Sequence, residues 1–269
     1  TWAIYDENIR AVLLTGSRAD PSRTVDDLSD YDLSIVVRDV TPITSDPTWP
    51  EWFGPIMVRW PLTPQSTFDP TWITQLVLYD DGVRIDFQFT TIDITKVERP
   101  AEYFCVLVDK DDQTRTLAGL PIDGARIDPP DEHQFRDRIN AFWWDIPYVA
   151  KALARGELPY ARFVLEGDLR FNKLHPLLRW YIGIRHGPDT DVGVAGRWFQ
   201  RYLEPAIWDR YLETFSAADI EDNRRAMFAM TALIRLLGRE IANHYGFTYP
   251  EEVDQKVSAY LARTAVHPP

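Results

Sequence analysis

The sequence predicts an α+β chain, a strand-rich mixed half followed by a helical half, and three observations carry that expectation. Short apolar runs that stop at turn residues fill the first half. A Gly- and Pro-rich stretch with Gly119, Pro121, Gly124 and Pro129-Pro130 then breaks the pattern. Beyond Asp131 the apolar residues recur at helical spacing. The expected division is 1–128 and 129–269.

In chain order, Ala11 to Thr15 is a first apolar run ending in Gly16-Ser17, and Leu33 to Val37 is a second, just after Asp30-Tyr31-Asp32. A third, Leu76 to Tyr79, stops at the turn signal Asp80-Asp81-Gly82. Val83, Ile85, Phe87 and Phe89 then alternate with Arg84, Asp86, Gln88 and Thr90. That period of two is a half-buried strand with Asp86 on its polar face. Val106 to Val108 is a further candidate strand. In the second half Asp131 is placed to cap a helix whose apolar face is Phe135, Ile139, Phe142 and Trp143 and which continues to Gly156. Pro147 is expected to kink or interrupt it. Another helix is expected from about Asp219 to Tyr245, ending at Gly246, with Met230, Leu233, Ile234, Leu237 and Ile241 on its apolar face. The cleft between two such halves is a common ligand site.

Composition narrows the function. With 269 residues, 45% of them apolar, the chain is long enough for a sizeable packed core. A net charge of −12 argues against broad nucleic-acid binding, which needs a basic face, but suits a cationic small molecule. Cys105 is the single cysteine, so no intramolecular disulfide is possible; its apolar run, Tyr103 to Val108, marks it as a buried packing residue. The five histidines lack ligand spacing, which removes a zinc site. With no apolar stretch long enough to span a membrane and no signal-peptide pattern, a cytoplasmic monomer or small homo-oligomer is expected.

The chemistry gathers around three acids. Asp30 and Asp32 stand two apart at the start of a strand, on one side of it, with α-carbons roughly 6.5–7 Å apart. Two carboxylates so placed repel, and a divalent cation turns the repulsion into attraction; Mg²⁺ takes oxygen ligands and shares its shell with phosphates. Alone, Asp-x-Asp reads as a solvated turn. Gly16-Ser17 ahead of it changes that: Gly16 lets a phosphate approach the backbone, Ser17 offers a hydroxyl and an N–H, and Arg18 can contact phosphate oxygens. Asp86 supplies a third acid, as metal ligand in the first place and as proton acceptor in the second. No Gly-x-x-x-x-Gly-Lys-Ser/Thr sequence is present, so a P-loop ATPase is not supported.

Gly16-Ser17 with Asp30-Tyr31-Asp32 and Asp86 resembles the signature of the polymerase-β-like nucleotidyltransferase superfamily. More narrowly, the chain resembles the aminoglycoside 6-adenylyltransferases, also called streptomycin adenylyltransferases. Gly16-Ser17-Arg18, Trp49 with Phe53-Gly54, Asp81-Gly82, Val106-Leu107-Val108-Asp109-Lys110-Asp111, Phe142-Trp143, Tyr148-Val149, Lys151, Leu153-Ala154-Arg155 and Tyr249-Pro250 carry that likeness. The resemblance implies ATP and Mg²⁺ as cosubstrate and cofactor, and AMP transfer to a hydroxyl of an aminoglycoside such as streptomycin, at position 6. It also implies an N-terminal nucleotidyltransferase domain with a mixed sheet and flanking helices, and a C-terminal helical bundle. Through it Lys151 becomes a candidate for the ATP phosphates, and Asp145, Tyr148 and Glu166 become candidates for a cationic acceptor. Trp144, Asp145 and Pro147 interrupt the matching helical block, and 157–175 aligns poorly, which bears on the acceptor. Two alternatives stay open: nucleotidyl transfer to another small molecule or macromolecule, and a non-catalytic module that binds a nucleotide or cation.

Overall fold

The structure, a computed structural model, describes residues 2–21, 23–96, 103–117 and 126–266. Gly119, Pro121 and Gly124 of the expected linker lie outside the described residues. Two compact units result, Thr1–Gly124 and Ala125–Pro269.

The first unit is built on a six-stranded mixed sheet with strands β1 (Ile9–Thr15), β2 (Tyr31–Val37), β3 (Ile56–Ser66), β4 (Ile73–Tyr79), β5 (Arg84–Thr90) and β6 (Cys105–Asp109), in the order β3-β4-β5-β2-β1-β6. The β2–β5 pair is parallel and its neighbours are antiparallel. Alternation along each strand divides the sheet into two faces. On one, Val12, Ile35, Val37, Val77, Phe87 and Phe89 pack with Trp49, whose ring stacks on Trp2 and meets Phe87 and Phe89 edge-on. The other carries the apolar group Ala11, Leu13 and Val36 under Ile94 and Leu117. Thr74 and Gln88, hydrogen-bonded at 2.9 Å, and the register partners Asp32 and Asp86 belong to this second face. The large aromatics have filled the first face, and the acids are left on the other.

One strand goes beyond those expected, and one expectation is corrected. Strand β3 has no counterpart in the apolar pattern: it contains Pro61 and Pro64, which its place at the sheet edge tolerates. Cys105 is exposed rather than buried, because β6 closes the sheet's other edge and pairs only with β1.

The second unit is helical. Its longest elements are Glu132–Ala154 and Ile220–Tyr245. Asp131 caps the first through a reciprocal pair with Gln134, and Asp219 accepts from the Asp222 N–H at the start of the other, which ends on Gly246 at φ +74°. Pro147 does not interrupt the first helix. An internal proline costs about 3 kcal/mol, and the turns around it bury Phe142, Trp143, Ile146, Val149 and Leu153, each worth roughly 1.5–3 kcal/mol, so packing wins. Residues Phe163–Leu174 form a π-helix, and His175–His186, Pro205–Glu213 and Glu251–Val266 complete the main helices. No helix among the described residues is long and apolar enough to cross a membrane.

The core of this unit holds His175, whose Nε2 lies 3.0 Å from the Tyr211 hydroxyl, with Phe171 and Phe199 against its ring. Burial, and then the charge of Arg170, push its pKa down to about 4. In the unfolded chain the value is about 6.5, so the unfolded state takes up the proton first as pH falls. Stability should therefore drop between about pH 6.5 and 4, by up to roughly 3 kcal/mol from this group. Calorimetry of wild type and His175→Gln across that window should show the gap in Tm between them narrowing toward pH 4; a constant gap contradicts the buried neutral imidazole.

Candidate active site

Parallel pairing of β2 with β5 sets Asp32 directly beside Asp86, α-carbons roughly 4.8 Å apart. On its other side Asp32 pairs with Thr15, the last residue of β1. Gly16 then turns the chain at φ +67°, where a side chain is strained, and a Cβ there would lie 2.2 Å from Asp32 Oδ2 and 2.9 Å from its Cγ. The close approach anticipated at Gly16 is therefore used first of all by the Asp32 carboxylate. Half-buried Ser17 follows in the same turn, Gly16–Arg18.

Arg18 is turned toward the loop before β2. Its Nη2 donates to the Ser29 carbonyl at 2.7 Å and its Nε to the Asp30 carbonyl at 3.1 Å, while its guanidinium covers the Tyr31 ring at 3.9 Å. In this arrangement it fixes the backbone that presents Asp30.

Among the described residues no three carboxylate, imidazole or thiolate groups converge closely enough to hold an ion as they stand. Two of the three acids are engaged by Arg84, which sequence reasoning placed on the polar face of its strand and gave no role. Its Nε and Nη2 each donate to one oxygen of Asp86 at 2.9 Å, and its Nη1 lies 3.6 Å from Asp30 Oδ2. The hydrogen bonds to Asp86, then the charges of Asp86, Asp30 and Asp32, hold the guanidinium even more firmly protonated than usual. The available signal was the i, i+2 spacing of Arg84 and Asp86, which sets both on one face of β5. The donor set is all carboxylate oxygen, the chemistry a hard divalent cation takes, and two of its members already grip a cationic group. In donor chemistry these residues suit a hard divalent cation such as Mg²⁺.

The remaining candidates lie in the second unit. Asp145, Tyr148 and Lys151 are spaced by three along one helix, and the Lys151 ammonium sits 4.9 Å from the centre of the Tyr148 ring. Asp145 Oδ2 lies 3.7 Å from Lys173 Nζ, which also reaches Asp168 at 3.4 Å. Burial pushes the Asp145 carboxyl up, Asp168 adds to it, and Lys173 opposes. Glu166 is differently engaged. Its two oxygens accept from Arg170 at 2.6 and 3.1 Å, and that guanidinium, only 1% exposed, also donates to the Thr214 carbonyl and stacks on Phe215. Removing one partner of such a pair leaves a buried charge uncompensated. Glu166→Gln should lower stability by about 2–4 kcal/mol in chemical denaturation; a variant as stable as wild type would show that the pair does not hold the fold.

Several blocks behind the family likeness prove structural. The Asp109 carboxylate accepts from the N–H groups of Asp111, Gln113 and Thr114 and from the Thr114 hydroxyl, closing the turn after β6. Lys110 donates to the Asp6 carbonyl and Asp111 pairs with Arg10. Tyr249 is buried against Gly238 and donates to Asp254.

The family model described as streptomycin adenylyltransferase matches residues 1–264. An aminoglycoside 6-adenylyltransferase of Bacillus subtilis (strain 168) is 29% identical over 269 positions, covering 96% of this chain and 92% of the relative. A protein of the same description from Campylobacter jejuni is 27% identical, covering 97% and 91%. Among solved structures, the crystal structure of an aminoglycoside 6-adenyltransferase from Bacillus subtilis aligns with a TM-score of 0.53 at 24% identity, over 99% of this chain and 95% of that one. At that identity the structural match speaks for the fold.

Proposed function

The chain belongs to the streptomycin adenylyltransferase family, a nucleotidyltransferase family, and from that premise we propose that it transfers AMP from ATP, with Mg²⁺, to a hydroxyl of an aminoglycoside, streptomycin at position 6. The observation that carries the reading is the register pair Asp32–Asp86 beside Gly16, with Asp30 two residues upstream. The acceptor oxygen attacks the α-phosphorus in line, the bond to the β-phosphate breaks, and pyrophosphate leaves. Asp30, Asp32 and Asp86 would hold the Mg²⁺, which when bound would supply neutralisation of phosphate charge. Gly16 keeps the turn free of a Cβ, Ser17 donates to a phosphate oxygen, and Arg18 holds the Asp30 loop in register. Asp86 is a metal ligand first and the acceptor of the hydroxyl proton second.

Residues 1–128 form the nucleotidyltransferase domain of this proposal and 129–269 the acceptor-binding domain. There Lys151 is assigned to the ATP phosphates. The cationic groups of the acceptor are assigned to Asp145 and to Glu166, which is shared with Arg170, and packing on a sugar ring to Tyr148. The chain's net charge of −12 favours capture of a polycation. Pyrophosphate release with ATP and Mg²⁺, measured across an aminoglycoside panel led by streptomycin, tests the reading. Release that depends on streptomycin supports it; silence across the panel with ATP still bound sends the search to another acceptor.

A further inference from the structure

Arg84 stands where the proposed metal site would have to form. Its two-pronged grip engages both oxygens of Asp86, and its third nitrogen reaches Asp30. A carboxylate held on both oxygens by a guanidinium offers a metal ion poor access, so cation and guanidinium compete for the same groups. The side chain of Arg84 is 43% exposed, against 16% for Asp86, so the arginine is the partner with freedom to leave. Charge points the same way. Asp30, Asp32 and Asp86 carry a formal charge of −3, of which Arg84 offsets one unit and a divalent cation in its place offsets two. The planar fork that fits a carboxylate fits a phosphate equally well, so a guanidinium released from the acids keeps a use beside a nucleotide.

We propose that Arg84 is a positioning residue with two stations: a built-in counter-ion that bridges Asp86 and Asp30 until a divalent cation displaces it, and afterwards a donor to the nucleotide phosphates. The proposal rests on the reading of Asp30, Asp32 and Asp86 as the metal site. Half-exposed at the start of β5, Arg84 can be replaced without opening the core.

The test is a Mn²⁺ titration of the full chain without nucleotide, following free Mn²⁺ by electron paramagnetic resonance, for wild type, Arg84→Gln, Arg84→Lys and Asp32→Asn. Arg84→Gln should bind Mn²⁺ about five- to tenfold more tightly than wild type. Arg84→Lys, which keeps the charge and loses the fork, should also bind more tightly, by about two- to threefold. With Mn²⁺ saturating, a non-hydrolysable ATP analogue should bind Arg84→Gln about fivefold more weakly. Arg84→Lys matching wild type for Mn²⁺ would reduce Arg84 to a distant charge and overturn the proposal. So would Arg84→Gln binding Mn²⁺ no more tightly, or the analogue no more weakly, while Asp32→Asn loses the ion. Unchanged Mn²⁺ affinity in Asp32→Asn would instead remove the metal site itself, and this inference with it.

Discussion

Asp32→Asn is expected to lower kcat by at least about a thousandfold while shifting Tm by no more than a few degrees, since a metal ligand at a transferring phosphoryl group supplies several kcal/mol of transition-state stabilisation. Asp32 is the middle member of the site, flanked by Thr15 on β1 and Asp86 on β5. Asparagine keeps its shape and backbone pairing and removes only the charge, so strand register should survive. Steady-state pyrophosphate release and a circular dichroism melt on the same preparation separate the two effects. Activity within tenfold of wild type, in a folded variant, would mean that Asp32 does not hold the metal.

Gly16→Ala reaches the same group from outside. The new methyl carbon would sit 2.2 Å from Asp32 Oδ2, so that carboxylate has to turn away, and the φ of +67° adds about 1 kcal/mol of backbone strain. The clash is with the end of a side chain, which moves cheaply, and that decides where the loss appears. Stability should fall by only about 1–2 kcal/mol, whereas kcat/KM for ATP should fall about a hundredfold or more, because misplacing a positioned group by an ångström carries penalties of that size. Kinetics close to wild type would show that the position of the Asp32 carboxylate at this turn is not what the reaction needs.

How legible this was in the sequence differs by element. Helix ends were readable because capping is local chemistry: Asp131 with Gln134, and Asp219 with Gly246, satisfy end groups a few residues away. Strand β5 was readable because one of its faces is half open, which makes the alternation visible. Strand β3 was not, since an edge strand with two prolines carries no period to read, and the helix runs on through Pro147 because the burial that offsets the proline is tertiary. The π-helix Phe163–Leu174 departs from the helical period by its nature, in the region where the family likeness was poorest. At the candidate site the acids stood out as residue types, but their juxtaposition depends on parallel pairing between strands some fifty residues apart, which no local pattern encodes. Arg84 was overlooked for a related reason: on a polar strand face an arginine reads as solvated, and only the pairing with β2 reveals the second carboxylate it reaches, Asp30 just ahead of that strand. The Asp109-Lys110-Asp111 block shows the opposite case, a run of charges that suggests chemistry and closes a turn.

The most direct test of the central claim is the mass of the product. Streptomycin incubated with the chain, ATP and Mg²⁺ should gain one AMP, with pyrophosphate released in equal amount and no gain when Asp32→Asn replaces wild type. Streptomycin that instead gains a single phosphate, with ADP as the co-product, or an AMP adduct that forms equally well with Asp32→Asn, would contradict the account.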